Sequence, residues 1–189
     1  MGDTPDMLDE VGAITRQLGD LGLVPVLVGG MALVVLGSRR VTRDFDFVIA
    51  HPGPRLAAVV KALYDRGLEL AARVDSTGDI TATIDNRRVA TARLEIDSPT
   101  SAFFLNPGTS LRIDLLFDFP VAADTLAARA KSMRIRSHLF HVASPQDLLE
   151  LKRTAISARS APGDTEDLAY LERLVQKGEP RDGGKSRKA

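Results

Sequence analysis

The chain contains no cysteine, so disulfides, thiolate nucleophiles and cysteine-ligated zinc are all excluded, and a reducing cytoplasm is its expected location. It also carries no net charge. Lys+Arg and Asp+Glu stand at 25 each, so no global field draws the protein to nucleic acid or to a membrane, and any such attraction must come from local patches. The N-terminal MGDTPDMLDE is acidic and lacks the basic and apolar regions of a secretory signal, so export is not expected. The uncharged run from Leu21 to Gly37 is shorter than the ~20 apolar residues a span requires, and Pro25, Gly29 and Gly30 interrupt it. A buried strand, a turn and a buried helix fit it better. No internal repeat is present, and His51, His138 and His141 lack the spacing of a metal site. Neither a G-x-G-x-x-G fingerprint nor a G-x-x-x-x-G-K-[ST] loop occurs at the glycine-rich segment, which argues against hydride transfer and P-loop hydrolysis.

What remains is ordinary globular composition, 44% hydrophobic and 26% charged over 189 residues, enough for one domain with a helical appendage. Leu8, Val11, Ile14 and Leu18 recur at helical spacing and predict a first amphipathic helix ending near Gly19 to Gly22. LVPVLV then reads as a short buried strand, broken by Gly29 and Gly30, with MALVVLG as a short apolar helix and DFDFVIA as a second strand. Pro52 and Pro54 open a helix to about Gly67. Residues 68–96 read as β-rich, with ITATI and VATARLEI separated by Asp85 and Asn86. LRIDLLFDF is a further strand ended by Pro120. A helix over 121–131, paired strands in MRIRSHLFHV, and two helices, PQDLLELKRTAISAR and DTEDLAYLERLVQK, complete the chain. The fold class expected is α+β, a small mixed sheet flanked by helices, with a core over 1–143 and C-terminal helices over 144–177. Residues 178–189 are expected to form a disordered basic tail.

The chemistry concentrates in GGMALVVLGSRRVTRDFDF, residues 29–47. Side chains alternate along a strand, so Asp44 and Asp46 share one face within about 7 Å. Such adjacency is costly in a partly buried site unless a cation compensates, and a divalent metal with hard oxygen ligands is the simplest one. Two magnesium ions about 3.5–4 Å apart form the usual clamp for in-line displacement at phosphorus. LRIDLLFDF offers a third carboxylate, Asp114 or Asp118. Asp114 is preferred because it lies inside the apolar run, whereas Asp118 lies near Pro120. Gly37 and Ser38, just before the strand, suit close approach of a phosphate, with amide and hydroxyl donors; an ordinary helix stop is the alternative.

Together, this segment and LRIDLLFDF resemble the DNA polymerase beta-like nucleotidyltransferase superfamily, whose pattern is Gly-Ser, Asp-x-Asp on a strand, and a later acidic residue on another strand. The form here is most similar to the AbiEii/MenT-type nucleotidyltransferase toxins of toxin–antitoxin systems. The resemblance implies that Asp44, Asp46 and Asp114 are catalytic and hold Mg2+, with Mn2+ as a substitute, and that Gly37 and Ser38 contact the nucleotide. It also implies roles for Lys152, as a counter-charge to the triphosphate, and for Asp167, orienting Lys152 or the nucleotide. Arg40 and Arg43 flank the site, and either phosphate or acceptor binding or plain surface solvation suits them. Lys131, Arg134, Arg136, Lys152, Arg153 and the tail form a candidate path for an RNA backbone, with a solvated face as the alternative. The implied partners are an NTP, a tRNA acceptor at its 3′ end and a cognate antitoxin, with no membrane. A small-molecule acceptor such as an aminoglycoside, a protein hydroxyl, or a non-catalytic binding module are the competing readings.

Overall fold

A computed structural model describes residues 6–158 and 163–178, so most of the 178–189 tail lies outside the described residues. The chain divides into two units, Met1–Ser144 and Pro145–Ala189.

In the first unit, Asp6 starts helix α1 (Met7–Asp20) by accepting from the Leu8 amide at 2.9 Å, the usual N-cap contribution. Val11, Ile14 and Leu18 face inward from α1. Strand β1 (Val26–Val28) follows, then α2 (Gly29–Val35) and β2 (Asp44–Ile49). The strand ends at Val28, as Gly29 and Gly30 predict, but the helix expected from Met31 already begins at Gly29. Helix α3 (Leu56–Tyr64), preceded by a 3-10 turn at Gly53–Arg55, buries Leu56, Val59, Val60 and Leu63.

ITATI is a strand as expected, β4 (Ile80–Ile84), but it forms a hairpin with β3 (Glu69–Val74) before it, and VATARLEI is helical, within α4 (Arg87–Asp97). Val89 and Thr91 favour a strand locally. Against them, Asn86 Oδ1 accepts from the amides of Arg88 at 3.0 Å and Val89 at 3.3 Å, and the buried positions are Ala90 and Leu94, an i,i+4 pair that only a helix puts on one face. Asn86 is thus a cap rather than a hairpin turn. Strand β5 (Ser101–Leu105) was not foreseen; it precedes β6 (Arg112–Phe117), α5 (Ala123–Arg129), β7 (Lys131–Ile135) and β8 (His138–Val142).

The eight strands form one mixed sheet in the order β4-β3-β5-β6-β2-β1-β8-β7. β2·β6 and β1·β8 are its parallel pairs, and the other neighbours run antiparallel. At the centre, Phe45 and Phe47 of β2, Ile113 and Leu115 of β6 and Phe104 of β5 point to one face and are all buried. Fully burying each of these side chains contributes roughly 1.5–3 kcal/mol, which fixes the register, since a one-residue slip would expose the whole set. The opposite face of the same strands is therefore forced to carry Asp44, Asp46, Arg112 and Asp114.

In the second unit, α6 (Pro145–Ala158) and α7 (Asp164–Gly178) pack on each other. Among the described residues no helix is long and apolar enough to cross a membrane.

Candidate active site

Parallel pairing of β2 with β6 sets Asp46 opposite Asp114 and Asp44 opposite Arg112. Asp44, Asp46 and Asp114 thus meet on one face of two neighbouring strands. Asp114 is buried, at 6% exposure. Loss of water around Asp46, then the charges of Asp114 and Asp44, push its carboxyl up from an ordinary value near 3.8 to about 7, against a downward pull from Arg112 and Arg40. The cluster holds more negative charge than its own arginines offset.

Gly29 and Gly30 are shaped by this cluster. Gly29 has φ +65°, and a Cβ there would lie 2.1 Å from Asp46 Oδ2. The aspartate carboxylate occupies the space a side chain would take. At Gly30 a Cβ would lie 3.0 Å from Arg40 Nε, so the second glycine makes room for the guanidinium. The double glycine, legible in the sequence only as a breaker, is a floor for one carboxylate and one cation.

Gly37 and Ser38 lie after α2, and their amides are spent on closing it. Gly37, with φ +97°, donates to Val34 O at 2.9 Å, and Ser38 N donates to Leu33 O at 2.9 Å, the back-bonding typical of a glycine helix stop. This corrects the expectation of a phosphate-directed Ser38 amide. Ser38 Oγ accepts from the Arg40 amide at 3.2 Å, and a hydroxyl that accepts one bond still has a proton to donate. Arg43 is exposed.

Arg112 was missed. Its Nε donates to Asp114 Oδ1 at 2.8 Å, and one Nη donates to Asp114 Oδ2 at 2.9 Å. The other Nη donates to Gly78 O at 2.7 Å, and Cζ lies 5.3 Å from the Phe103 ring centroid. The signal was present as R-I-D, a cation and a carboxylate at i,i+2 and hence on one strand face. Asp118 is separate from the cluster: its oxygens accept from the amides of His51 and Ala123, each at 2.8 Å, at a residue with φ +51°. It fastens the end of β6.

In the second unit, Lys152 Nζ lies 2.7 Å from Asp164 Oδ1 and 2.6 Å from Asp167 Oδ2. Asp167 is 4% exposed, so Lys152 belongs to a tight three-member cluster rather than to a solvated helix face. Asp164 joins it as a residue that sequence reasoning did not assign. Of the cations considered for an RNA path, Lys131 and Arg134 are exposed on β7. Arg136 is engaged with Asp6 and Asp9, and Arg153 with Glu172.

The donor chemistry of Asp44, Asp46 and Asp114 fits a hard divalent cation, and the raised Asp46 carboxyl is the mark of negative charge that such a cation would relieve. As arranged, no three acidic or histidine side chains among the described residues converge into a ready metal cage, and both Asp114 oxygens accept from Arg112.

A family model for the nucleotidyl transferase AbiEii toxin, type IV TA system, matches residues 16–182. No curated protein sequence gives a significant match. Solved structures resemble the chain in fold. An antigenic nucleotidyltransferase-like protein from Paracoccidioides brasiliensis has a TM-score of 0.59 at 15% identity, over 94% of this chain and 78% of that one. The lincosamide antibiotic adenylyltransferase LnuA, lincomycin-bound, has 0.54 at 13%, over 88% and 96%. The antibiotic-resistance factor ANT(2'')-Ia has 0.53 at 12%, over 89% and 83%. A mixed sheet presenting paired aspartates beside a double-glycine helix start, and a family match spanning both units, lead to one assignment: the chain belongs to the AbiEii family of nucleotidyltransferase toxins and is a nucleotidyltransferase.

Proposed function

We propose that this nucleotidyltransferase is metal-dependent, moves a nucleoside monophosphate from an NTP to an acceptor hydroxyl with release of pyrophosphate, and acts as a toxin on the 3′ end of tRNA. The observation that carries the metal dependence is the meeting of Asp44, Asp46 and Asp114 on one sheet face, where burial first, and then the charges of Asp114 and Asp44, raise Asp46 to about 7. Asp44 and Asp46 would hold Mg2+, or Mn2+ in its place, with Asp114 as the third donor. A metal bound there supplies charge stabilisation at the phosphoryl oxygens. The chain's own residues do the rest. Gly29 leaves room for the Asp46 carboxylate and Gly30 for Arg40, and the Ser38 hydroxyl and Arg40 are offered to phosphate oxygens. Gly37 lets the chain pass close to them. The acceptor hydroxyl loses its proton to solvent as its oxygen attacks the α-phosphorus, the bond to the bridging oxygen breaks, and pyrophosphate leaves with the electron pair. By the family resemblance Lys152, paired with Asp167 in the second unit, is proposed as a counter-charge to the triphosphate.

The toxin role and a cognate antitoxin are supported by family membership, and the tRNA acceptor by the resemblance of the motif segment to the AbiEii/MenT-type toxins. Purified protein incubated with each α-labelled NTP, Mg2+ and total tRNA is expected to label the RNA 3′ end, and expression is expected to arrest growth through Asp46. LnuA is described with lincomycin bound and ANT(2") with adenylyl-2"-tobramycin, so the same reaction offered lincosamides and aminoglycosides tests a small-molecule acceptor. Labelling of those and of no RNA would overturn the tRNA reading while keeping the chemistry.

A further inference from the structure

Arg112 makes more bonds than a residue that only fills space. It is 18% exposed at the side chain, forks onto both oxygens of Asp114 at 2.8 and 2.9 Å, and reaches Gly78 O at 2.7 Å with its remaining edge. Phe103 backs it at 5.3 Å. A guanidinium forked on a carboxylate lies in the carboxylate plane and covers both oxygens where a divalent ion would also seek them. Guanidinium and metal are then rival counter-cations for one side chain.

Gly78 belongs to the β3–β4 turn, which is closed by its own bonds. Asp75 Oδ1 accepts from the amides of Thr77 at 2.9 Å and Asp79 at 3.0 Å, and Gly78 N donates to Asp75 O at 3.1 Å. Arg112 therefore joins a site carboxylate to the tip of a hairpin whose sequence neighbours lie far from Asp114.

We propose that Arg112 is the resident counter-cation of the site, which a divalent metal displaces from at least one oxygen of Asp114, and that this displacement loosens the 75–79 turn held through Gly78. The proposal rests on the reading of Asp44, Asp46 and Asp114 as metal donors. A carboxylate has about four lone-pair positions, so an opposite arrangement is conceivable, in which Arg112 positions Asp114 and metal binds beside it. The two arrangements predict opposite signs. Displacement makes Arg112 a competitor, so its removal tightens metal binding. Positioning makes it a helper, so its removal weakens binding.

The test is Mn2+ binding to the full chain, read from the free-ion paramagnetic resonance signal, with amide hydrogen exchange of residues 75–79 measured with and without Mn2+. Arg112→Met is expected to bind Mn2+ about tenfold more tightly than the wild type, the order of one charge-assisted hydrogen bond, with Arg112→Lys between them. In the wild type, saturating Mn2+ is expected to speed exchange at Thr77, Gly78 and Asp79; in Arg112→Met exchange there is fast already and Mn2+ leaves it unchanged. Weaker Mn2+ binding in Arg112→Met, or a wild-type turn whose exchange ignores bound Mn2+, overturns the proposal. If Arg112→Met fails to fold, the wild-type exchange and Arg112→Lys decide it. Mn2+ binding that Asp46→Asn abolishes, with no response in the turn, would sink displacement and leave the metal reading standing; no Mn2+ binding at all would remove both.

Discussion

Replacing Asp46 by asparagine isolates the electrostatic cost of the cluster, because the side chain keeps its shape over Gly29 and loses only its charge. The folded Asp46 carboxyl titrates at about 7 against an ordinary value near 3.8. A shift of about three units at 1.36 kcal/mol each amounts to roughly 4 kcal/mol. Between those values the folded chain binds more protons than the unfolded one, so stability falls as pH rises through this window. Below about pH 4 the cost is absent, and above about pH 7 it is complete. In the presence of EDTA, Asp46→Asn is therefore expected to match the wild type below about pH 3.5 and to exceed it at pH 8 by about 2–4 kcal/mol, the lower end reflecting salt screening of the Asp44 and Asp114 charges. The chain has no tryptophan, so denaturation followed by far-UV circular dichroism, with hydrogen exchange at β2 and β6 amides to isolate the first unit, is the suitable assay. Mg2+ is expected to restore wild-type stability at pH 8 and to leave Asp46→Asn nearly unchanged. Parallel pH curves for the two proteins would refute the reasoning.

Gly29→Ala places a methyl 2.1 Å from Asp46 Oδ2 at φ +65°; activity is expected to be lost with a destabilisation of a few kcal/mol, whereas Gly53→Ala, with φ +53° and nothing within 4 Å, is expected to cost only about 1–2 kcal/mol of backbone strain. Along α1, Gly12→Ala drives a Cβ to 2.1 Å from the His138 ring and is expected to lower the thermal midpoint. Gly19→Ala, with nothing within 4 Å, is expected to raise stability by about 0.5–1 kcal/mol. Lys152→Met deprives Asp164 and the buried Asp167 of a shared ammonium and is expected to destabilise the second unit by about 3 kcal/mol, read from exchange at α6 and α7 amides.

The strands that build the site were legible because their alternation is clean: Phe45, Phe47, Ile113 and Leu115 go inward, so the acidic residues between them must share the other face. Parallel pairing of β2 with β6, which brings Asp46 to Asp114, was not legible, because it depends on which strands become neighbours rather than on either strand's composition. α4 was misread because Val89 and Thr91 look β-forming, and the Asn86 cap that decides the matter uses the same residue type as a turn. The double glycine was legible as the end of β1 but not in its second purpose, which lies 17 residues from Gly29 in Asp46 and 10 from Gly30 in Arg40, distances that local rules do not span. Arg112 was overlooked although its spacing from Asp114 places both on one face.

Transfer of label distinguishes the account most directly. With an α-labelled NTP, Mg2+ and total tRNA, the wild type is expected to move label into the acceptor, and with a γ-labelled NTP to release it as pyrophosphate, while Asp46→Asn, folded and at least as stable, does neither. Equal label transfer by wild type and Asp46→Asn, or release of γ-label as orthophosphate with none in an acceptor, would contradict nucleotidyl transfer at this cluster.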